Sequence, residues 1–194
     1  MPKRQMGEIM ALTKVSTGML SNDAASIDLN IDSGTSVSVD GVCLTVRDIE
    51  DNNLEFQTSN ESKDRSIIKG YKNNVNVNLE LPTTVNEFLS GHIVQGHVDE
   101  VAICSEVKET NGSWKYVFKH TKENITVEKG SITINGVSLT VVDSSSDSFS
   151  VAIIPYTYEN TNFKTIGPGS LVNLEFDILG KYIAKIIAKT TKNE

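Results

Sequence analysis

The sequence predicts an all-β protein: two tandem copies of one small barrel or sandwich, followed by a single helix. The first observation behind this is an internal duplication. Ser36-Val-Ser-Val-Asp-Gly-Val-Cys-Leu-Thr-Val46, with Asp48, recurs 95 positions later as Ser131-Ile-Thr-Ile-Asn-Gly-Val-Ser-Leu-Thr-Val141, with Asp143. Val77-Asn-Leu-Glu80 recurs at the same offset as Val172-Asn-Leu-Glu175, and Gly7-x-Ile is echoed at a slightly smaller offset by Gly96-x-Val. The second is a hydrophobic period close to two, the signature of half-buried strands. The third is an Asp-Gly or Asn-Gly pair between short β-rich runs, which marks a hairpin because both turn positions accept positive φ.

In chain order, Val37, Val39, Leu44 and Val46 flank Asp40-Gly41 in the first copy. Ile132, Ile134, Leu139 and Val141 flank Asn135-Gly136 in the second. Further strands are expected at Asn53–Thr58, Val75–Leu81, Trp114–His120, Ser148–Ile154 and Leu171–Phe176. Ser62–Lys69 and Thr157–Thr165 suit single helical turns, and Pro82–Gly91 reads as the connection between copies. Six or so short strands in about 90 residues, with many turns, suit a small barrel or sandwich. The expected units are residues 1–86, 87–179 and 180–194. The last is a helix with Tyr182, Ile183, Ile186 and Ile187 on one apolar stripe, which must pack on its own barrel or on another subunit.

The formal net charge of −7 argues against a nucleic-acid binder, which would carry a basic face. No apolar run approaches a membrane span and the N-terminus has no apolar signal core, so a cytoplasmic location is expected. Cys43 and Cys104 have no CxxC-type neighbour, which excludes a disulfide framework or zinc-site pattern. His92 and His97 lack further ligands nearby in sequence, and Gly91 and Gly96 place them in a turn or loop; no metal is expected.

Four motifs together resemble riboflavin synthase of the alpha-chain type: Asp40-Gly-Val-Cys-Leu-Thr-Val46, Gly91-His-Ile-Val-Gln-Gly-His-Val-Asp99, Gly136-Val-Ser-Leu-Thr-Val141 and Ile154-Pro-Tyr-Thr157. The resemblance runs from about Gly7 to the C-terminal helix. It implies two six-stranded Greek-key barrels and a C-terminal α-helix that assembles a homotrimer. It further implies dismutation of two 6,7-dimethyl-8-ribityllumazine molecules into riboflavin and 5-amino-6-ribitylamino-2,4-pyrimidinedione, without a cofactor. The active site would lie between the first barrel of one subunit and the second barrel of a neighbour. One departure stands out: Gln5 and Met6 precede Gly7 where the family carries Phe and Thr.

Among candidate residues, His97 suits proton transfer because imidazole titrates near working pH, against the plainer role of a structural histidine. The resemblance places it on the opening strand of the second barrel's pocket. Cys43 is a candidate nucleophile or proton relay, although a lone cysteine in a strand is commonly inert packing. Ser138 is its counterpart, and Thr45 and Thr140 face the same way by period two. Asp177 matches a family acidic residue, or is a plain strand-end carboxylate. The resemblance assigns Gly7, Glu8, Ile9, Ser36, Leu44, Gln57, Thr58, Ser59, Asn60, Glu61 and Ser62 to substrate binding in the first barrel. To the second it assigns Gly96, His97, Val98, Lys129, Leu139, Thr140, Ile154, Pro155, Tyr156, Thr157, Tyr158 and Glu159. His92 reads as a structural or supporting residue, and His120, which has no motif around it, as a surface one.

Three functions compete: the enzyme, a non-catalytic lumazine- or flavin-binding protein, and a duplicated barrel used for protein contacts. The altered N-terminus favours the binder. Retention of Cys43, His97 and Ser138 in two equipped copies favours the enzyme.

Overall fold

The computed structural model describes residues 9–12, 31–50, 53–72, 75–85 and 89–191. The first repeat forms strands β1 (Ile9–Leu12), β2 (Ser36–Val39), β3 (Val42–Glu50), β4 (Asn53–Gln57) and β5 (Leu79–Glu80). They make one antiparallel sheet in the order β1-β4-β3-β2-β5. The second repeat forms β6 (Glu100–Thr110), β7 (Ser113–Lys119), β8 (Ser131–Ile134), β9 (Val137–Ser144), β10 (Ser148–Ile153) and β11 (Leu171–Phe176). These close into a barrel, β10-β7-β6-β11-β8-β9. The all-β duplicated fold therefore stands, with a closed six-stranded barrel in the second copy and five described strands in the first.

The turns obey the dipeptide rule. Asp40 and Gly41 have φ of 46° and 77°, Asn135 and Gly136 of 46° and 82°. Each pair closes a two-residue hairpin, with Val39 opposite Val42 and Ile134 opposite Val137. Asn111-Gly112 makes a third such hairpin between β6 and β7. Helices α1 (Asn60–Arg65) and α2 (Pro155–Asn160) follow at the duplication's own offset, as do the 3₁₀ turns Ile67–Gly70 and Asn162–Thr165. The expected strand Val75–Leu81 shrinks to Leu79–Glu80, and β6, which the periodicity did not announce, is the longest strand.

Two cores result. The first holds Val37, Val39, Leu44, Val46 and Phe56; the second is richer in rings, with Tyr116, Phe118, Phe149, Phe163 and Phe176. Tyr116 places its hydroxyl on the Phe163 carbonyl at 2.9 Å, so its polar end is satisfied inside the core. His120 is not on the surface: it is buried between Phe149 and Phe176, with ring centroids 5.7 and 5.6 Å away. It continues the inward face of β7 after Tyr116 and Phe118, two residues apart each time, which is why it points into the barrel.

Helix α3 (Ile178–Thr190) starts at Asp177, whose Oδ1 accepts from the Leu179 amide at 3.0 Å. Lys181 in its first turn pairs with Asp99 at 2.9 Å. Leu179, Tyr182, Ile183, Ile186 and Ile187 are each 57–65% exposed, so the apolar stripe does not pack on its own barrel.

Candidate functional site

Strand alternation sets the two key positions. On β3 the side chains of Val42, Leu44 and Val46 point into the first core, which turns Cys43 and Thr45 outward. Cys43 is therefore an exposed thiol and not core packing. Leu44 is buried and Leu139 packs against the second core, so each can meet a ligand only through its backbone. Ser138 is half-buried in the equivalent place on β9, with Thr140 exposed beyond it.

Each of these positions is roofed by a piece of the segment that joins the repeats. Over Cys43 lies Gly96, whose carbonyl accepts from the Cys43 amide at 2.8 Å. A Cβ on Gly96 would stand 2.8 Å from the Cys43 Cβ, and its φ is 74°, so the close approach requires glycine. The segment is anchored from the other side. Glu175, only 3% exposed, accepts from the amides of Gln95 at 2.8 Å, Gly96 at 2.9 Å and His97 at 3.0 Å. A hollow of about 490 Å³ opens there, lined by Cys43, Glu61, Ser62, Gly96, His97 and Val98. Val98 packs against the first core. His97 and Val98 thus line the hollow beside Cys43 while Gly96 borders both hollows, and the Glu175 anchor and the Cys43–Gly96 bond hold this segment in place.

Over Ser138 lies Gly91-His92. The Ser138 hydroxyl is 2.8 Å from His92 Nδ1, and Thr133 Oγ1 is 3.0 Å from His92 Nε2. In a neutral imidazole one ring nitrogen donates and the other accepts, so the two hydroxyls hold the ring in place from both ends. Burial lowers the His92 pKa, while the charges of Asp177 and Glu175 act against that shift. The neutral ring that results can accept a proton through Ser138. A second hollow, of about 1010 Å³, runs between the repeats; Ser36, Cys43, His92, Ser138, Tyr156 and Thr161 are among its walls. His92 is thus more than a supporting residue; the Gly91–Asp99 motif contains it, but its pairing with Ser138, 46 residues away, is not written there.

The remaining candidates divide. Ser59 caps α1, accepting from the Ser62 amide at 3.0 Å, which presents Asn60, Glu61 and Ser62 at the smaller hollow's side. Glu61 is bridged by Arg65 at 3.8 Å, and Arg65 reaches the Asp99 carbonyl at 3.2 Å. On α2, Tyr158 stacks on Trp114 with centroids 3.8 Å apart, which leaves Tyr156 exposed toward the larger hollow. Gln57 and Thr45 are exposed partners across β3 and β4, while Thr58 is buried. Ile154, Pro155, Thr157 and Glu159 surround Tyr156 on α2 and its cap, with Pro155 at the first helical position. Lys129 occupies a left-handed turn (φ 63°) before β8 and borders neither hollow. Asp177 acts as the α3 cap and as a charge near His92. Gly7 and Glu8 lie outside the described residues, as do Gln5 and Met6, and Ile9 opens β1.

Two tandem repeats, each with a hollow beside its Gly-Val-x-Leu-Thr strand, define a duplicated small-molecule-binding protein. Residues 4–82 and 95–177 match the lumazine binding domain. The chain is 38% identical to the riboflavin synthase of Actinobacillus pleuropneumoniae over 174 residues, 89% of this chain and 81% of that one. It is 32% identical to the riboflavin synthase of Bacillus subtilis (strain 168) over 98% of this chain and 90% of that one. The crystal structure of LumP complexed with 6,7-dimethyl-8-(1'-D-ribityl) lumazine is similar at a TM-score of 0.69 and 25% identity, covering 75% of this chain and 79% of that chain. LumP complexed with riboflavin gives 0.68 and 28%, with the same coverage. The chain belongs to the riboflavin synthase family.

Proposed function

We propose that the chain converts two molecules of 6,7-dimethyl-8-ribityllumazine into riboflavin and 5-amino-6-ribitylamino-2,4-pyrimidinedione, with one lumazine beside Cys43 and the other beside Ser138. The observation that carries this is that both repeats present an outward-facing reactive side chain under a glycine-roofed hollow. A protein that only held one flavin would need one. The reaction begins with loss of a proton from the C7 methyl group of one lumazine, and the Ser138–His92 pair suits that transfer. A nucleophile adds to the other lumazine, where the Cys43 thiol or a water beside it stands. Carbon–carbon bond formation and eliminations follow. Holding two flat rings face to face is mostly proximity and orientation, with acid–base help worth a further factor of about 10²–10⁴. Neither hollow needs a cofactor for this chemistry.

The exposed stripe of α3 supports assembly as a homotrimer in which the first repeat of one chain meets the second repeat of the next. Lys129 would then reach a hollow of a neighbouring chain. Residues 1–86, 87–179 and 180–194 are the corresponding units, and a cytoplasmic location suits the substrate. Among the described residues no helix is long and apolar enough to cross a membrane.

Purified protein incubated with the lumazine and a metal chelator should release riboflavin, read by its fluorescence, with one pyrimidinedione per riboflavin. Tight lumazine binding with no riboflavin after long incubation would instead establish the non-catalytic binding protein.

A further inference from the structure

The seam between the repeats is a hydrogen-bond lattice that obeys the duplication. Asn78 Oδ1 accepts from the Asn162 amide, and Asn173 Oδ1 from the Ile67 amide, each at 2.8 Å. Asn78 Nδ2 donates to the Asn135 carbonyl and Asn173 Nδ2 to the Asp40 carbonyl, again at 2.8 Å. The amides of Asn78 and Asn173 donate to Asp40 Oδ1 at 2.7 Å and Asn135 Oδ1 at 2.8 Å. Three bonds from one copy thus match three from the other. At its centre the turns touch backbone to backbone: a Cβ on Gly41 would stand 2.6 Å from the Gly136 nitrogen.

The symmetry breaks at one pair. Asp40 has a carboxyl where Asn135 has an amide, and Asn162 spans the two. Asn162 Nδ2 donates to Asp40 Oδ1 at 2.9 Å, while Asn162 Oδ1 accepts from Asn78 Nδ2 at 3.0 Å and from Asn135 Nδ2 at 3.4 Å. The other Asp40 oxygen accepts from the Tyr71 hydroxyl at 2.5 Å. Three residues after Asp40 comes Cys43, and three after Asn135 comes Ser138. Whatever fixes these turns against each other fixes the two reactive side chains.

We propose that Asp40 is a positioning residue: through Asn162 its carboxyl group locks the Asp40-Gly41 turn to the Asn135-Gly136 turn, and its ionisation loosens that lock. Asp40 is 2% exposed, and no cation pairs with it among the described residues. Burial raises its pKa to about 6, opposed by its bonds to Tyr71, Asn78 and Asn162. Of the groups bonded to it, Tyr71 alone titrates, and burial together with the Asp40 charge keeps that phenol protonated. On the other packed elements, Glu175 is tied to the Gln95–His97 amides. Glu80, whose own pKa burial raises, and the two lysines of the 3₁₀ turns, Lys69 and Lys164, are exposed. When Asp40 is protonated, its proton can turn toward Tyr71 while Oδ1 keeps both donors. When it is ionised, a buried charge with hydrogen-bond donors but no counter-ion among the described residues sits in the seam. An acid whose folded pKa is raised gives stability that is present below its unfolded value near 3.8 and lost as pH rises through about 6.

The test compares Asp40→Asn, Asn162→Asp and the double variant with the parent. Asn at position 40 reproduces the acceptor at Oδ1, and Asn135 shows that the turn accommodates it. Between pH 5 and 8 the parent's Tm should fall by several degrees more than that of Asp40→Asn. Parallel curves would overturn the proposal. Asn162→Asp removes the bridging donor and adds a second carboxylate, so kcat should drop about tenfold while lumazine affinity changes little. Adding Asp40→Asn removes one of the two facing carboxylates and should restore kcat to within about threefold of the parent. Should Asn162→Asp fail to fold, recovery of folding in the double variant is the same rescue. A double variant no better than Asn162→Asp would overturn the assignment. The rate readout rests on the riboflavin synthase reading, whereas the melting and refolding readouts do not, so the two can fail separately.

Discussion

The two repeats share a fold and a seam yet offer unlike chemistry. At matching positions the first carries Asp40, Cys43 and Glu61, and the second carries Asn135, Ser138 and Tyr156. The first core is mainly aliphatic and the second is lined with rings. Above Cys43 the roof is Gly96-His97, held by a buried carboxylate; above Ser138 it is Gly91-His92, held by hydroxyls. Duplication kept what positions a flat ligand and varied what reacts with it. That suits a reaction in which two identical molecules play opposite parts.

The largest expected effect comes from the element only one repeat possesses. Removing residues from Lys181 onward deletes most of the α3 stripe and the Lys181–Asp99 pair. Sedimentation should show trimer becoming monomer and riboflavin formation should nearly vanish, while both barrels stay folded. An unchanged trimer would exclude α3 from assembly.

Next is the anchor that binds one repeat's roof to the other repeat. Glu175→Gln keeps the shape but puts a donor in place of one of the two oxygens that accept from the three roof amides. The loss should be about 2–4 kcal/mol of stability, because buried amides are left unpaired. Activity should fall about 100-fold as Gly96-His97 moves off Cys43. Chemical denaturation and rates on the same sample would reveal this. Activity lost at unchanged stability would mean that Glu175 acts on substrate instead.

The reactive pair itself sharpens the contrast. Cys43→Ala should slow turnover far more than it weakens lumazine binding, since a group used in the transition state lowers the rate without equal loss of ground-state affinity. Ser138→Ala should be milder, at about 1 kcal/mol, because water can replace one hydroxyl's hydrogen bond to His92. Equal small effects in steady-state rates and titrations would make Cys43 a spectator.

The smallest effect concerns pH. Burial lowers the His92 pKa from its ordinary value of 6.5, so the pair stays in its proton-accepting form at neutral pH. The acid limb of kcat should therefore lie below the ordinary imidazole range, and His92→Gln should remove it. Persistence of the limb in that variant would place proton transfer at His97.

Much of this was legible in the sequence because it is written locally. Asp40-Gly41 and Asn135-Gly136 need positive φ, and alternate burial on β3 sends Cys43 and Thr45 outward once Leu44 and Val46 point in. Strand β6 was hidden because its outer face carries Ile103 while Ala102 and Cys104 face inward, which blurs the period of two. The inward place of His120 follows from Tyr116 and Phe118 by the same period of two, carried one step past the end of β7. His92 and Glu175 act on residues 46 and about 80 positions away, and such contacts leave no local trace. The repeated Val-Asn-Leu-Glu motif was the one signal for Glu175 and for the Asn78–Asn173 seam.

One mixing experiment tests most directly whether the repeats are complementary halves of one site. Ser62→Trp fills the hollow of the first repeat and Ser138→Trp that of the second. Each variant alone should make almost no riboflavin. Unfolded together and co-refolded, they should regain clear riboflavin formation, because some sites will join an intact first repeat from one chain to an intact second repeat from another. A mixture no more active than the separate variants, though trimeric and folded, would contradict the account.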